Sequence, residues 1–329
     1  MKKPRSAIGI TGLVLIAAFG AVQTAQADPY PTRPITLIVP FAAGAVADLV
    51  ARIVADRLRA TLGQPIIVED FAGAGGTIGV GRAIRAAPDG YTISTGDLTS
   101  HVSSSAIFPV KYDVRRDLEP VSLLSSAPQL FVGRRDFPAD DLQQVIAWLK
   151  ANPGKATLAL PGNFGNGGHL SGLSLQKITG TLFQFVPHRS SPQAVQNVVG
   201  GHVDLMFTDA ANVLPYVRSG QLKVFAVTTK TRWAPEPGIP TFEELGIPLS
   251  FTLWRGLWVP AGTPKDVIAK LNAAVSEALL DPQVRKQLAE LGNETYPAAQ
   301  LTPDALRVHQ NAEIEKWWPI IKAANITPE

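Results

Sequence analysis

The chain has 329 residues, of which 46% are apolar, and its 30 Lys and Arg residues exceed its 27 Asp and Glu residues by three. Three of the cations, Lys2, Lys3 and Arg5, lie in the first five residues, so the rest of the chain is near neutrality and lacks the basic excess typical of nucleic-acid binding. Because the chain has no cysteine, disulfides, a lipid-modified cysteine anchor and cysteine-based zinc sites are excluded.

The N-terminus has the pattern of a secretory signal peptide. Its three cations precede an uncharged run, residues 6–27, that ends in the motif Ala25-Gln26-Ala27. A membrane anchor is the alternative, but the strongly apolar part is shorter than the roughly 20 residues that a span needs. We predict a signal peptide at 1–27, cleaved after Ala27, and an exported product that is periplasmic in a Gram-negative cell.

After this leader, short apolar runs alternate with longer amphipathic segments, which is typical of βαβ units and a largely parallel sheet. The pattern predicts, in chain order, a strand at 35–39, a helix from 48, a strand at 66–68, a helix at 77–86 and a strand at 91–95. An extended, mostly apolar segment at 118–133 then indicates a strand that leaves one domain and enters another.

A second α/β set follows this crossing. Its predicted helices are 142–151, 169–179 and 194–199, and its predicted strands are 157–160, 183–186, 203–208 and 224–228. A second crossing is predicted at 249–259, before helices at 264–280, 282–291 and 303–322. We therefore expect two α/β domains, 28–126 with 256–329 and 127–255, around a cleft that closes by hinge motion.

Two strand-to-helix turns near the N-terminus share a Phe-Ala motif. Such turns leave backbone N–H groups unpaired at the positive end of a helix dipole, and two of them could close on one anion, with carboxylate favoured. The candidate contacts are Phe41, Ala42, Ala43, Gly44, Ala45, Val46, Gly75, Gly76 and Thr77.

Two other interpretations of these turns stay open. A tight turn with no ligand is the simpler one. Dinucleotide binding would use Asp97 for the ribose, but Ile78 stands where the G-x-G-x-x-G motif needs its third glycine.

Asp48 lies at the start of the first helix, where the positive end of the helix dipole stabilises a carboxylate. Capping is the expected role of Asp48, and contact with a ligand amine or repulsion of an unwanted anion is the alternative.

The second domain offers three further candidate groups. A glycine-rich loop with Asn163, Phe164, Gly165, Asn166, Gly168 and His169 could grip the far end of a ligand, although His169 alone is more simply explained as a helix-start residue bonded to backbone. Arg189 and Ser190 precede a helix; the guanidinium could bind both oxygens of a carboxylate or form a structural salt bridge. Asp209 and Ala210 end a strand, where α/β proteins place binding residues, and Asp209 could instead cap the next turn.

Catalytic patterns are scarce in the sequence. It contains neither a G-x-S-x-G elbow nor an H-E-x-x-H pair, and its five histidines lack ligand spacing. We therefore expect a binding module rather than an enzyme, with no metal and no cofactor.

Several motifs together resemble the Bug family, the extracytoplasmic solute receptors of tripartite tricarboxylate transporters, over nearly the whole chain after the leader. The motifs are 30–41, 73–76, 89–91, 167–170, 186–189, 200–207, 240–242 and 257–264. The resemblance implies a type II-like periplasmic-binding-protein fold of two α/β domains whose cleft closes on an organic carboxylate. It also implies delivery to a two-component membrane permease, and we expect a monomer.

By the same resemblance, the first-domain loops Phe41–Val46 and Gly75–Thr77 hold one carboxylate, while Asn163–His169, Arg189–Ser190 and Asp209–Ala210 select the ligand. The sequence departs from the family pattern at three places, which affects how far the family's ligand contacts apply to this chain. Ala45 replaces a usual glycine, His188 and Ser190 flank the arginine in place of Tyr and Gly, and Leu173 replaces a frequent Glu. An exported hydrolase-like enzyme on the same bilobal fold and a ligand sensor for a signalling partner are the alternatives.

Overall fold

A computed structural model describes Met1, residues 30–162 and residues 164–327. Apart from Met1, the predicted signal peptide lies outside the described residues, and so does Asn163. The strands are β1 Ile35–Val39, β2 Ile66–Asp70, β3 Thr92–Asp97, β4 Leu118–Arg134, β5 Thr157–Pro161, β6 Gln184–His188, β7 Leu205–Asp209, β8 Leu222–Val227, β9 Thr252–Pro260 and β10 Glu294–Thr295.

The helices alternate with these strands. They are α1 Val46–Leu62, α2 Thr77–Ile84, α3 Ser104–Ile107, α4 Leu142–Ala151, α5 Gly167–Thr179, α6 Ser191–Val199, α7 Ala210–Arg218, α8 Lys265–Leu280, α9 Pro282–Glu290 and α10 Pro303–Ala323. A π-helical turn at Thr99–Ser103 leads into α3. Within the part of the chain that is described, no helix combines the length and the apolar character that crossing a membrane requires.

The strands form one curled sheet in the order β2-β1-β3-β9-β4-β7-β5-β6, and β8 and β10 also pair with β4. Strand β1 is parallel to β2 and β3, with Leu37 opposite both Val68 and Ile93, and β9 is antiparallel to β3 and β4. Strand β5 is parallel to β6 and β7, whereas β7 and β8 are antiparallel to β4.

Strand β4 belongs to both parts of this sheet. Its residues 118–128 pair with β9, and residues 129–134 pair with β7 and β8. We call the part with β1–β3, β9, β10, α1–α3 and α8–α10 the first lobe, and the part with β5–β8 and α4–α7 the second lobe. Strands β4 and β9 lie at the two predicted crossings, and β9 pairs with β3 and with the first-lobe half of β4.

Each lobe has its own apolar core. In the first lobe, Val50, Val54 and Leu58 recur every four residues along α1, so this helix buries one face on the sheet and on α8. In the second lobe, Phe131 of β4 stacks on Phe207 of β7, with ring centroids 4.4 Å apart. The buried apolar residues keep the carboxyl ends of the parallel strands, where the loops lie, in fixed positions.

The predicted alternation of strands and helices is confirmed, with small differences at the ends. Strand β1 has the predicted bounds, whereas β3 extends two residues further, to Asp97. The helical segment from Thr99 to Ile107, helix α7 and the short strand β10 were not predicted. The segment after β3 is rich in Ser and lacks an amphipathic period, and β10 is only two residues long.

Candidate functional site

A cavity of about 410 Å³ lies between the two lobes, at the carboxyl ends of the parallel strands. Its volume suits a small molecule, and its position is the one that open α/β sheets use for ligands. Residues of both lobes line it, so movement of one lobe against the other would change its volume.

The first-lobe wall is built from the two predicted turns. Of the candidates there, six line the cavity: Phe41, Ala42, Ala45, Val46, Gly75 and Gly76. The other four, Ala43, Gly44, Asp48 and Thr77, do not line it. The wall therefore consists largely of backbone and small or apolar side chains.

Asp48 supports the first turn from behind. Its side chain is 2% exposed, and its Oδ2 atom accepts a hydrogen bond of 2.7 Å from the N–H of Gly44. Arg52 contacts both Asp48 and Asp70, at 2.7 and 2.8 Å. Burial raises the pKa of Asp70, and the neighbouring carboxyl of Asp48 raises it further. These contacts match the expected structural role of Asp48 rather than contact with a ligand amine.

The second turn requires glycine. Gly76 has φ +90°, and a Cβ atom there would lie 2.8 Å from the Cβ of Ser100 and 3.2 Å from the carbonyl oxygen of Pro40. Gly75 also has a positive φ, and its carbonyl accepts a hydrogen bond from the hydroxyl of Ser104. The backbone of this turn can therefore approach a ligand with no side chain in the way.

In the second lobe, the glycine-rich loop contributes Asn166, Gly167 and Gly168 to the cavity wall. The side chain of Asn166 caps α5 by accepting a hydrogen bond of 2.9 Å from the N–H of His169. Of the predicted residues of this loop that the structure describes, Asn166, Gly167 and Gly168 line the cavity, while Phe164, Gly165 and His169 do not.

His169 orders this loop from inside. Its Nδ1 atom accepts a hydrogen bond of 2.9 Å from the N–H of Gly165, and its ring packs edge-on against Phe164 and Phe185. Burial lowers the pKa of His169 to about 4, so the ring is neutral at physiological pH. The simpler explanation of this histidine, a helix-start residue bonded to backbone, matches these contacts.

Arg189 lines the cavity and is exposed, whereas its neighbour Ser190 caps α6. The N–H of Arg189 donates to the side chain of Gln193, and among the described residues the guanidinium takes part in no ion pair. The structural salt bridge proposed as the alternative role of Arg189 is thus not observed among the described residues. The guanidinium is available to a ligand in the cavity.

Three charged residues form a row across the cavity floor, which we call the polar row: Asp97, Arg255 and Asp209. Asp97 of β3 and Arg255 of β9 are opposite each other in the antiparallel pair. Arg255 is 4% exposed; its Nη2 atom lies 2.9 Å from Oδ2 of Asp209, and its Nη1 atom donates to Asn293 at 2.7 Å. The ion pair joins β9 of the first lobe to β7 of the second.

One polar group of the floor is buried without a hydrogen-bond partner in the described part of the chain. The Nε atom of Arg255 is buried and has no partner among the described residues. Burial raises the pKa of Asp97, although hydrogen bonds from Ser100 and the charge of Arg255 oppose that rise.

Asp209 does not cap the next turn, which was its alternative role, because its carboxylate pairs with Arg255 and makes no cap bond. Ala210 is buried and does not line the cavity.

Several lining residues were not predicted as ligand contacts. They are Pro40, Ala47, Ala72, Gly73, Asp97, Thr99, Gln129, Pro161, Gly162, Ser191, Thr208, Asn212, Leu253 and Arg255. Most of them flank a predicted motif by one to three residues. Arg255 carries a signal that was available in the sequence, because it is a lone charge inside an otherwise apolar crossing segment.

Helices from both lobes begin at this cavity. Its lining includes first-turn residues of α1, α5, α6 and α7, and the turn that precedes α2. First-turn amides have no acceptor within their own helix, and each helix start carries partial positive charge. The lining therefore suits an anion, which these amides and Arg189 could bind together.

Asp97, Ser100 and His101 touch one another next to the cavity. The hydroxyl of Ser100 lies 3.2 Å from Oδ1 of Asp97 and 3.0 Å from Nδ1 of His101. Ser100 and His101 are both fully buried, and His101 stacks on Trp258 with a centroid distance of 4.0 Å. Burial lowers the pKa of His101 to about 3. This cluster therefore presents no accessible nucleophile; in the described ranges, no group of acidic or histidine side chains is placed to hold a metal ion.

Comparison with known proteins identifies the family. Residues 50–326 match the family described as tripartite tricarboxylate transporter family receptor. Protein BugT of Bordetella pertussis is 35% identical over 94% of this chain and 94% of its own. The structure of MatC from Rhodopseudomonas palustris with bound malate is 36% identical, covers 89% of this chain and 100% of its own, and superposes with a TM-score of 0.81.

A further R. palustris structure, solved with adipate, has a TM-score of 0.83 at 28% identity and covers 91% of this chain and 100% of its own. The fold is that of the periplasmic binding proteins, with two α/β lobes around a cleft, as the sequence predicted. The resemblance to the Bug receptors is likewise confirmed. The chain belongs to the receptor family of the tripartite tricarboxylate transporters.

Proposed function

We propose that this protein is a periplasmic receptor that binds a small organic carboxylate in the cavity between its lobes, closes on it and delivers it to a two-component membrane permease. The observation that carries this proposal is the convergence of helix starts from both lobes on one cavity. Each start favours negative charge, so together they favour an acidic ligand over a neutral or cationic one.

The related structures support the same ligand class. One relative was solved with malate and another with adipate, and both compounds are small organic acids. In this chain the first-lobe amides at Ala42, Val46 and Gly75, which line the cavity, would hold one carboxylate group, because the N–H groups of Gly44, Ala45 and Gly76 already bond within the turns. Side chains of the second lobe, Arg189 foremost, would contact the remainder of the ligand.

Closure would occur about the two strands that cross between lobes. We propose domains at 28–126 with 256–329 and at 127–255, so that β4 and β9 act as the hinge. The curled sheet continues through both strands, and the pair of Arg255 with Asp209 links β9 to β7 beside them. The protein would reach the periplasm as a monomer after cleavage of residues 1–27.

The test is a thermal-shift screen of the mature protein, residues 28–329, against organic acids and their carboxamides. The acids include aliphatic, aromatic, tricarboxylic and amino acids. A ligand at 100 times its Kd stabilises the folded state by about 2.7 kcal/mol, which the shift in Tm detects. We expect at least one acid to raise the Tm while its carboxamide, which lacks the charge, does not.

Two outcomes would contradict the proposal. One is a screen in which no carboxylate raises the Tm. The other is chemical conversion of the bound compound, which chromatography of the ligand after incubation would detect and which would indicate an enzyme.

A further inference from the structure

The floor of the cavity contains two hydrogen-bond donors that no described residue uses. The Nε atom of Arg255 is buried and has no partner among the described residues, whereas the two terminal nitrogens donate to Asn293 at 2.7 Å and to Asp209 at 2.9 Å. Gln129 is 2% exposed and lines the cavity. Its Oε1 atom accepts a hydrogen bond of 2.6 Å from Ser171, which fixes the amide and leaves the Nε2 atom without an acceptor in the described ranges.

These two donors belong to one cluster of side chains. Gln129 of β4 and Asp209 of β7 are opposite each other in the antiparallel pair, so their side chains are neighbours on the same face of the sheet. The carboxylate of Asp209 is bonded in turn to Arg255, and all three residues line the cavity. One group of a ligand on this part of the floor would therefore lie beside both donors.

The chain itself already supplies donors to the carboxyl groups of the floor. In Asp97, Oδ1 accepts from the N–H of Ser100 at 3.0 Å and from its hydroxyl at 3.2 Å, and the carboxyl also accepts a backbone hydrogen bond from Thr99. In Asp209, Oδ2 accepts from Arg255. A buried donor without a partner is costly, and each one needs an explanation such as a bound ligand or water. The unmet need of the floor is thus for an acceptor.

An uncharged acceptor suits this floor better than a second carboxylate. The charge of Arg255 is paired with Asp209, and Asp97 lies opposite Arg255 in the sheet, so the polar row has no net positive charge. A second carboxylate would lose its hydration there without a free cation in the row to offset the cost. A carbonyl oxygen accepts two hydrogen bonds and brings neither a charge nor a donor that needs a partner of its own.

We propose that the ligand is an oxo acid, in which a carbonyl oxygen along the chain accepts hydrogen bonds from Nε of Arg255 and Nε2 of Gln129. This inference rests on the proposed function, because the carboxylate of the same ligand is held by the amides of the cavity walls. A ligand without the carbonyl would leave both donors unpaired, and a site built to form such bonds discriminates strongly against an analogue that lacks them.

The direct test compares acids that differ in one end group alone. Levulinate is titrated into the mature protein by calorimetry beside isocaproate, in which a methyl group replaces the carbonyl oxygen, and succinate, in which a carboxylate replaces the methyl ketone. Pyruvate with isobutyrate and oxalate, and γ-acetylbutyrate with isoheptanoate and glutarate, make the same comparison at a shorter and a longer spacing. In the set that binds best, we expect the oxo acid to bind at least about tenfold more tightly than the other two acids.

The outcomes separate this inference from the proposed function. Equal binding of the oxo acid and the branched acid, or tighter binding of the dicarboxylate, would overturn the inference and leave the carboxylate receptor intact. Absence of binding by all three sets, while an acid with no ketone or amide carbonyl binds in the wider screen, would also overturn it. If no acid binds in either experiment, both proposals fail.

A variant of Gln129 locates the carbonyl. Gln129→Glu keeps an oxygen that accepts from Ser171 and replaces the donor nitrogen with a second oxygen, so we expect the preference for the oxo acid over the branched acid to fall at least about tenfold. Both ligands carry one negative charge, so the new carboxylate repels them equally and the ratio reports the lost donor.

Gln300→Glu is the matched control because Gln300 is exposed and lies outside the cavity lining. It should leave the ratio unchanged. If Gln129→Glu fails to fold by circular dichroism, Gln129→Met replaces it, since methionine also lacks the donor. An unchanged ratio of affinities in a folded Gln129 variant would contradict the proposal.

Discussion

The two walls of the cavity recognise a ligand by different means. The first-lobe wall contributes backbone and small or apolar side chains: Phe41, Ala42, Ala45, Val46 and Ala47 in the first turn, and Ala72, Gly73, Gly75 and Gly76 in the second. The second-lobe wall contributes polar side chains, among them Asn166, Arg189 and Asn212. Backbone amides recognise charge whatever the rest of the ligand, whereas side chains recognise its shape and other groups.

Because of this difference, side chains of the second wall can vary while the anion site keeps its function. The first wall depends on backbone conformation, which Gly76 and the buried Asp48 fix through φ and a hydrogen bond to Gly44. Exchange of side chains in the second wall would change the ligand and leave the anion site in place. The floor couples the two walls because Arg255 bonds to residues of both lobes.

The largest expected effect comes from breaking the contact between the lobes. Arg255→Met would leave the paired carboxylate of Asp209 without its cation, so we expect the free energy of unfolding to fall by about 4 kcal/mol in a denaturant titration. Arg218→Met is the control, because Arg218 is 61% exposed in its pair with Glu236 and should cost at most about 1 kcal/mol. Equal losses in the two variants would contradict the role assigned to Arg255.

A smaller loss in the free energy of unfolding is expected when the backbone conformation of the first wall is disturbed. Gly76→Ala adds a Cβ atom that would overlap Ser100 at a φ of +90°, so we expect a loss of about 2–3 kcal/mol from strain and crowding together. Gly44→Ala is the matched control: Gly44 has φ +78°, and a Cβ atom added there would have no neighbour within 4 Å. The control should lose about 1 kcal/mol. Equal denaturation midpoints for the two variants would show that crowding at Gly76 is not decisive.

The sequence predicted the first wall better than the floor. The two turns follow strands that apolar runs identify, and their glycines mark the positions where a helix begins. The floor depends on which strands become neighbours: Asp97 and Arg255 are 158 residues apart in sequence and opposite each other in the sheet. Local pattern carries no information on that pairing. The sequence therefore predicts at most a ribose contact for Asp97 and no role for Arg255.

The alternation of strands and helices was predictable because each lobe repeats βαβ units with buried apolar strands. The roles of the polar residues were less predictable from the sequence. His169 and Asp48 stand beside glycine-rich turns, as ligand-binding residues do, yet both are buried and bind the backbone of those turns. Only the burial of each side chain distinguishes support of a loop from contact with a ligand.

The smallest expected effect is a change in how the free energy of unfolding depends on pH, and it comes from His169, which supports the second wall. Because the pKa of His169 falls from 6.5 to about 4 on folding, the unfolded chain binds a proton first as the pH falls. The stability that this neutral histidine provides is complete above pH 6.5 and is lost as the pH falls towards 4, at up to about 1.4 kcal/mol per pH unit.

His169→Asn should reduce this slope, since an amide oxygen can accept from Gly165 and does not titrate. Denaturant titrations between pH 6.5 and 5 measure the slope, and the buried His101 supplies a remaining part in both proteins. His202→Asn, at an exposed position, is the control. An unchanged slope in His169→Asn would contradict the burial of a neutral ring at this position.

Calorimetry on two neighbouring variants tests whether first-wall amides hold the carboxylate. Ala42 and Ala43 are both exposed in the same turn, but Ala42 alone of the two lines the cavity. With the tightest acid from the screen, we expect Ala42→Asp to weaken binding at least about tenfold by like-charge repulsion, and Ala43→Asp to change it little. Equal affinities in the wild-type protein and a folded Ala42→Asp variant would contradict the claim.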